Sequence, residues 1–451
     1  MLGLSGCLST FCCWNISPGN RGLSAVYIRL DALRVAEFFF LLFSVVFLAE
    51  ISVGGSGAWS EKLIGFSFRK LLFVLISLFL ILIFLLERKC LSIIFYLSLV
   101  SVFFIVWGGV LPYLNDYWGR NFQDASSLFG LTALCIVAVI GSDRVLLSIV
   151  SAAFCFSFVL AVLHCILYFG FSAGAIDVSW VNDFFYQYLA GKGEIFIFTK
   201  EPSIRVFWAS TSFILVGYTI ALFGFLKSNG FFRRLLILFV LWIFVFAAYA
   251  SDTRALLGYM AFVPVSYVFF RVAAYLLYPF SSGVKIALYV FGMVMVELLL
   301  LLAVTPSVLK VLGLNKEGEG TERADQIEAI YHTLSENLFW GIGLGGNSEY
   351  LIRSEQAPWS YEMSLWALVM KLGLIGSAIL LGILYMALLI PRAGFVPGFE
   401  KSKLVRFLCA VGYGYLIVVS TNPFLFSLIG FATIMVFYSW YVYAGRKNVG
   451  C

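Results

Sequence analysis

Long apolar runs recur along the chain and predict a bundle of membrane-spanning helices. A helix needs about 20 predominantly apolar residues to cross the hydrocarbon core of a bilayer, where its backbone must satisfy its own hydrogen bonds. We therefore predict an all-α, polytopic integral membrane protein with about twelve transmembrane helices. The predicted spans are residues 36–53, 71–86, 91–111, 128–141, 145–169, 206–225, 235–250, 255–270, 284–304, 363–389, 404–419 and 424–443.

Positive charge near the span ends predicts how the bundle is oriented. Lys and Arg are enriched in the short cytoplasmic loops of membrane proteins. With the N-terminus inside, basic residues such as Arg88, Arg233, Arg234 and Lys447 fall on the cytoplasmic side. The first connection, residues 54–70, is an exception because it carries basic residues on the outer side. An even number of spans then places both termini in the cytoplasm.

The spans divide the chain into one membrane domain with short ends. We expect a cytoplasmic lead over residues 1–35, a single transmembrane domain over 36–444 and a cytoplasmic tail over 445–451. Two long loops, residues 170–205 and 305–362, fall on the outer face. The second is the longest polar stretch and holds nine of the 24 acidic residues. Long loops in compact domains are commonly functional, so we expect the chemistry on this face.

Composition supports the membrane class and excludes several others. Hydrophobic residues make up 62% of the chain and charged residues 12%, about half the share of a soluble domain. The net charge of +6 is spread over connections between spans and does not predict a nucleic-acid partner. Several of the nine Cys residues lie in apolar spans, where Cys behaves as a small hydrophobe, so no disulfide framework is indicated.

Two arginines on the outer face are candidates for binding a phosphate group. Arg254 lies between two spans with almost no loop around it. It is either an interfacial residue extending to lipid headgroups or a guanidinium that binds a lipid-linked phosphate. A helix is predicted in the second loop, with Thr321 as its N-cap. Arg323 lies on the apolar face of this helix, together with Ile327 and Ile330. It is either part of a salt bridge or a second anion-binding residue.

Few other charged or titratable residues lie in or beside the spans. Glu201, before a predicted helix start at Pro202, is either a helix-start acid or a carboxylate that takes a proton from a sugar hydroxyl. Glu362 opens a span and has the same two interpretations. Lys371 lies inside that span, where we expect it to face protein or water. His164 is expected to be a satisfied core residue.

Residues 341–346 form a glycine-rich turn, Gly-Ile-Gly-Leu-Gly-Gly, within the second loop. Glycine lets backbone N–H groups approach a phosphate. This turn, however, has no preceding strand and no Lys-Ser or Lys-Thr pair after it, as a P-loop would have. We therefore expect it to bend the loop back towards the membrane.

The order of these motifs resembles that of the O-antigen ligase and polymerase superfamily. The resemblance covers roughly residues 200–376 and the hydropathy of the whole chain. The segments that carry it are Glu201-Pro202-Ser203, Ser251-x-x-Arg254, Arg323 followed by Glu336 to Gly345, and Glu362 followed by Lys371 to Gly376. The ligases carry a His late in the large loop, and residues 341–362 contain none, which favours a Wzy-type polymerase.

The resemblance implies a bacterial inner-membrane glycosyltransferase with GT-C-type architecture and a large periplasmic loop. Such an enzyme joins undecaprenyl-diphosphate-linked oligosaccharide repeat units on the periplasmic side, without a metal, a nucleotide sugar or another cofactor. It implies the lipid bilayer as its environment and a chain-length regulator and a flippase as partner proteins. The ligase, which transfers polymer to lipid A core, and a lipid-linked sugar flippase or transporter remain alternatives.

Site residues follow from the expected chemistry. Negative charge develops on the leaving diphosphate, so fixed cations should stabilise the transition state. We expect the catalytic residues to be Arg254, Arg323, Glu201 and Glu362. We expect the substrate-binding residues to be Arg205, Arg353, Glu349 and Trp340, and no residue to bind a metal. Aromatic residues of the outer loops either stack on sugar rings or form the interfacial belt of a membrane protein.

Overall fold

The structure is a computed structural model, and most of the part it describes is helical. It describes residues 22–52, 68–87, 91–117, 143–184, 195–200, 203–276, 319–352, 361, 364–389, 407–408, 410–412, 414–415 and 428–447. The helices are α1 (Gly22–Ser52), α2 (Phe68–Glu87), α3 (Leu91–Ile105), α4 (Leu111–Leu114), α5 (Asp143–Ser172), α6 (Val178–Phe184), α7 (Ile214–Lys227), α8 (Phe231–Ala250), α9 (Arg254–Leu276), α10 (Glu319–Glu336), α11 (Ser364–Leu389) and α12 (Leu428–Lys447).

Within the described residues, six helical segments are long and apolar enough to cross a membrane. They are Ala32–Ser52, Phe95–Leu114, Asp143–Ser172, Ser210–Lys227, Phe231–Ala250 and Leu365–Ile383. Each overlaps one of the twelve predicted spans. Helices α2, α9 and α12 overlap three more. The predicted spans 128–141 and 284–304, and most of 404–419, lie outside the described residues.

The surface of the bundle is consistent with a lipid environment. Helix α8 shows this most clearly, because its outward face carries large apolar side chains. Leu235, Leu236, Phe239 and Trp242 are all more than half exposed. A soluble protein rarely exposes such a continuous apolar face. The apolar helices therefore place the chain among membrane proteins.

Helix α5 lies at the centre of the bundle and packs against α1, α7, α8 and α12. Its buried residues include Leu146, Ile149, Ala153 and Leu160, which recur at the three- and four-residue spacing of one helix face. Ser157 joins α5 to the start of α7, because its Oγ donates to Phe213 O at 3.0 Å and accepts from Gly217 N at 3.0 Å.

Within the described residues, one β-hairpin interrupts the helical architecture. Strands β1 (Ile195–Lys200) and β2 (Ser203–Trp208) pair antiparallel. The predicted helix start at Pro202 is wrong, since β2 begins at Ser203 and α7 begins only at Ile214, after the 3-10 helix Ala209–Phe213. The β-branched and aromatic residues of both strands, on either side of a two-residue connection that contains Pro, explain the difference.

Helix α9 contains Pro264, and the bundle satisfies the carbonyl that this proline leaves unpaired. Proline has no N–H to donate to the carbonyl four residues earlier, which belongs to Met260. The Tyr218 hydroxyl on α7 donates to Met260 O at 2.6 Å. The phenol of Tyr218 thus replaces the missing backbone hydrogen bond and holds α7 against α9.

Candidate functional site

One candidate residue, Arg205, contacts the turn that leads to a second candidate residue, Arg254. The Nε of Arg205, on β2, donates to the carbonyl oxygen of Ser251 at 3.0 Å. Ser251 follows the last residue of α8 and lies three residues before Arg254, the first residue of α9. Arg205 is therefore held beside the turn that begins with Ser251 and leads to Arg254.

This turn between α8 and α9 is tight and well bonded. The hydroxyl of Ser251 donates to Ala248 O at 2.7 Å, and that of Thr253 donates to Ser251 O at 3.2 Å. Asp252 adopts a left-handed conformation with φ 48°. The carbonyl end of a helix favours a cation, so α8 supplies an electrostatic reason for the position of Arg205. One of the five N–H groups of Arg205 makes the bond to Ser251.

A second region with many backbone hydrogen bonds surrounds an interruption in α11. Gly373 lies inside the candidate span Leu365–Ile383 and has φ 63° and ψ −174°, a conformation open essentially to glycine alone. Non-helical backbone inside a span is tolerated only where protein or water satisfies it. Here residues 338–343 lie along the interruption and supply its hydrogen bonds.

Several backbone hydrogen bonds join residues 338–343 to α11 at the interruption. The amides of Leu374 and Ile375 donate to Leu338 O at 2.9 Å and Phe339 O at 3.0 Å. In the opposite direction, the amide of Gly343 donates to Lys371 O at 2.9 Å. The glycine-rich turn is therefore bonded backbone to backbone with α11. This contact buries residues 341–346 and gives their glycines a structural role.

Trp107 fixes the same region from the other side. Its indole N–H lies 2.9 Å from both Trp340 O and Leu372 O, and its ring stacks on that of Trp340 with a centroid distance of 6.0 Å. Trp107 belongs to a π-helical turn, Val106–Val110, in which Leu111 N donates to Val106 O. That bond leaves Trp107 O available, and the amide of Leu344 donates to it at 2.8 Å.

The loop helix α10 is joined to this region through Ser348. The Oγ of Ser348 accepts from Thr333 Oγ1 at 2.8 Å and donates to Ala329 O at 3.0 Å. Its amide donates to the hydroxyl of Tyr361 at 2.8 Å, and burial raises the pKa of that phenol. Helix α10 begins at Glu319, so Thr321 lies inside the helix and the prediction that it is the N-cap is wrong.

Among the described residues, one acid, one lysine and one histidine are buried inside the candidate spans. Glu50 on α1 is 0% exposed and Lys371 on α11 is 1% exposed, so Lys371 faces protein as expected. His164 is satisfied as expected, with Nδ1 2.8 Å from Leu160 O and Nε2 3.0 Å from Thr211 Oγ1. Glu50 was not among the predicted site residues. An acidic residue inside a predicted span, here 36–53, is nevertheless a candidate functional residue, because a carboxylate is costly within a membrane.

The predicted site residues divide into those the structure describes and those outside it. Arg205 is half-buried beside Ser251, Trp340 is exposed and stacked on Trp107, and Glu349 is exposed. The backbone of Arg254 begins α9 and that of Arg323 lies near the start of α10, and both side chains lie outside the described part. Glu201, Arg353 and Glu362 also lie outside the described residues.

Comparison with known proteins finds no relative of this chain. No protein-family model matches the chain, and no curated protein matches it. The resemblance therefore rests on the motifs quoted above. In the structure, two of these motif segments, Glu336 to Gly345 and Lys371 to Gly376, pack against each other.

Proposed function

We propose that this protein is a bacterial inner-membrane polysaccharide polymerase of the O-antigen type. It joins undecaprenyl-diphosphate-linked oligosaccharide repeat units on the periplasmic side of the membrane by metal-independent glycosyl transfer. The observation that carries the proposal is the bond from Arg205 to Ser251, which holds one candidate cation beside the turn that leads to another, Arg254. A site for a diphosphate needs more than one such cation.

The reaction assigns a role to each of these groups. A sugar hydroxyl of one repeat unit attacks the anomeric carbon of another, and the new glycosidic C–O bond forms as the bond to the diphosphate breaks. The hydroxyl proton passes to a carboxylate, for which Glu201 and Glu362 are the candidates. Arg254, Arg323 and Arg205 stabilise the charge on the departing diphosphate. A single in-line displacement inverts the anomeric configuration.

The polymerase proposal is tested by giving the purified protein one substrate at a time. Purified protein receives an undecaprenyl-diphosphate oligosaccharide alone, and the products are separated on a gel. The proposal predicts a ladder of polymers whose new linkage is inverted relative to the donor. Transfer that occurs only after lipid A core is added would identify a ligase instead, and retained configuration would overturn the single-displacement mechanism.

A lipid-linked sugar flippase is the second candidate, and the interruption of α11 favours it. Transporters commonly build their sites from discontinuous helices with buried charges nearby. Here α11 is interrupted at Gly373, and Lys371 and Glu50 are buried in spans. In proteoliposomes, transfer of a fluorescent lipid-linked oligosaccharide between leaflets, without polymer formation, would assign the protein to this class.

A further inference from the structure

Three aromatic rings form an exposed row on α10 and on the segment that follows the glycine-rich turn. Tyr331 and His332 lie on α10, and Tyr350 follows the glycine-rich turn. Glu328 and Glu336 flank them on the same helix. Tyr331 is 67% exposed and Tyr350 is 59% exposed. We name these five residues the ring surface.

The ring surface is held together by side-chain contacts. The rings of His332 and Tyr350 have centroids 5.3 Å apart, and those of Tyr331 and His332 are 6.3 Å apart. The hydroxyl of Tyr350 donates to Glu336 Oε1 at 2.9 Å, which raises the pKa of the phenol. Glu328 Oε1 lies 4.0 Å from His332 Nε2.

The backbone beneath the ring surface is also fixed. The amide of Tyr350 donates to Ser348 Oγ at 3.2 Å, and that hydroxyl donates to Ala329 O on α10 at 3.0 Å. Tyr350 is therefore positioned against the helix that carries the other two rings. A preformed arrangement of this kind loses little conformational entropy when a ligand binds.

Lipid does not explain why these rings are exposed. The outward face of α10 combines them with Asp325, Glu328, Ser335 and Glu336, all of which are exposed. Carboxylates are costly in the hydrocarbon core of a bilayer, so this face lies in water. Exposed aromatic rings in water, next to fixed hydrogen-bond acceptors, are a common arrangement for binding an amphipathic ligand.

The charge of the surface restricts the ligand further. Asp325, Glu328, Glu336 and Glu349 are exposed, and residues 325–352 contain no Lys or Arg. His332 is the only basic side chain in this stretch. A ligand with many negative charges would be repelled, whereas hydroxyl, amide and amino groups donate hydrogen bonds to carboxylates.

We propose that the ring surface binds the glycan part of the substrate, and that this glycan is built from neutral or amino sugars without acidic groups. Its sugar rings stack on Tyr331 and Tyr350 through their C–H faces, while their hydroxyl and amino groups donate to Glu328 and Glu336. The inference rests on the proposed function and names its substrate class.

Binding of soluble glycans to the purified full-length protein tests the inference. The probes are oligomers of N-acetylglucosamine, glucosamine and galacturonic acid of equal length, and the readout is the dissociation constant from titration calorimetry. The first two should bind at least about tenfold more tightly than the third. Tyr331→Ala and Tyr350→Ala should each weaken their binding about fivefold.

Two matched variants separate the contributions. Trp180→Ala removes an exposed ring on α6, outside the ring surface, and should leave glycan binding unchanged. Tyr350→Phe keeps the ring but removes the bond to Glu336, so it should bind more tightly than Tyr350→Ala. Equal binding by wild type and both alanine variants, or preference for the galacturonic acid oligomer, would overturn the inference.

Failure of the inference and failure of the proposed function give different results. Polymer formation by wild type, together with unchanged glycan binding in Tyr331→Ala and Tyr350→Ala, would leave the function standing and overturn the inference. Absence of polymer, together with glycan binding that both variants weaken, would overturn the function and leave the ring surface as a glycan-binding site.

Discussion

At the scale of single residues, Gly341 and Gly373 are required by space as well as by backbone conformation. Both have positive φ, 68° and 63°. A Cβ at Gly341 would overlap the carbonyl oxygen of Lys371, and one at Gly373 would overlap that of Phe339. Because backbone atoms cannot move aside as a flexible side chain can, neither position accepts a larger residue without displacement of the segment.

Gly341→Ala should therefore destabilise the protein strongly. We expect a loss of at least about 2 kcal/mol in the free energy of unfolding, from strain at positive φ and from overpacking. Gly382→Ala, elsewhere on α11, is the matched control, since a Cβ there meets nothing within 4 Å. The thermal unfolding temperature of each variant in detergent measures the difference, and equal temperatures would contradict the close packing at Gly341.

Tyr218 and Pro264 should be coupled energetically through Met260 O. Tyr218→Phe leaves this buried carbonyl without a donor, so we expect a cost of about 1–2 kcal/mol. In a Pro264→Ala background the new amide donates to the same carbonyl, and Tyr218→Phe should cost much less. A double-mutant cycle of unfolding free energies measures the coupling. Additive effects would show that the Tyr218 hydroxyl does not replace the proline's missing bond.

The residue scale also shows where the sequence is informative about the site. The glycine-rich turn is visible in the sequence, but its partner in α11 is not, because contacts between positions 341 and 371 depend on how the helices pack. Buried Glu50 is the opposite case. An acid within an apolar run is visible directly, and its burial could have been predicted from the cost of exposing a carboxylate to lipid.

At the scale of elements, Trp107 connects three separate parts of the chain. It lies in the π-helical turn after α3, bonds to the segment before the glycine-rich turn, and bonds to α11 at its interruption. Such π-helical turns interrupt a helix at some cost and are common at functional positions. Here the turn frees the Trp107 carbonyl, which then accepts the amide of Leu344.

Trp107→Phe should loosen this region without unfolding the whole bundle. The substitution keeps an aromatic ring but removes the N–H that faces Trp340 O and Leu372 O. We expect faster hydrogen exchange at the amides of Gly343, Leu344, Leu374 and Ile375, with a common change in rate because these bonds open together. Amides of α5 are the internal control and should keep their rates. Unchanged exchange at all four amides would show that the Trp107 N–H does not fix the segment.

Element boundaries show what hydropathy predicts well and what it does not. The predicted span 145–169 lies within α5 (Asp143–Ser172), because a long apolar run has one stable solution in a membrane. The hairpin of β1 and β2 was missed, since a short apolar run does not distinguish a strand from a helix by periodicity alone. The interruption of α11 was missed because glycine is common in spans, and a sharp break depends on a partner segment that satisfies it.

At the scale of the whole molecule, charge distribution predicts that both termini are cytoplasmic and that residues 305–362 are periplasmic. Alkaline phosphatase is active only outside the cytoplasm, whereas green fluorescent protein inserted through the general secretion route is fluorescent only inside. At residue 451, the alkaline phosphatase fusion should therefore be inactive and the green fluorescent protein fusion should be fluorescent. The same reporters fused after residue 315 should give the reverse result. A cytoplasmic signal at residue 315 would contradict the predicted periplasmic location of residues 305–362, which include the ring surface.

The most direct test of the proposed mechanism is polymer formation by arginine variants. Wild type, Arg254→Ala, Arg205→Ala and Arg271→Ala are each supplied with an undecaprenyl-diphosphate oligosaccharide, and initial rates of polymer formation are compared. Arg271 is the matched control, because it is exposed near the opposite end of α9. Unfolding temperatures show whether Arg205→Ala also loosens the turn at Ser251.

We predict that Arg254→Ala lowers the rate at least about 100-fold, as loss of one transition-state donor does, with its fold intact. Arg271→Ala should retain the wild-type rate, and polymer formation by Arg254→Ala at that same rate would contradict the assignment.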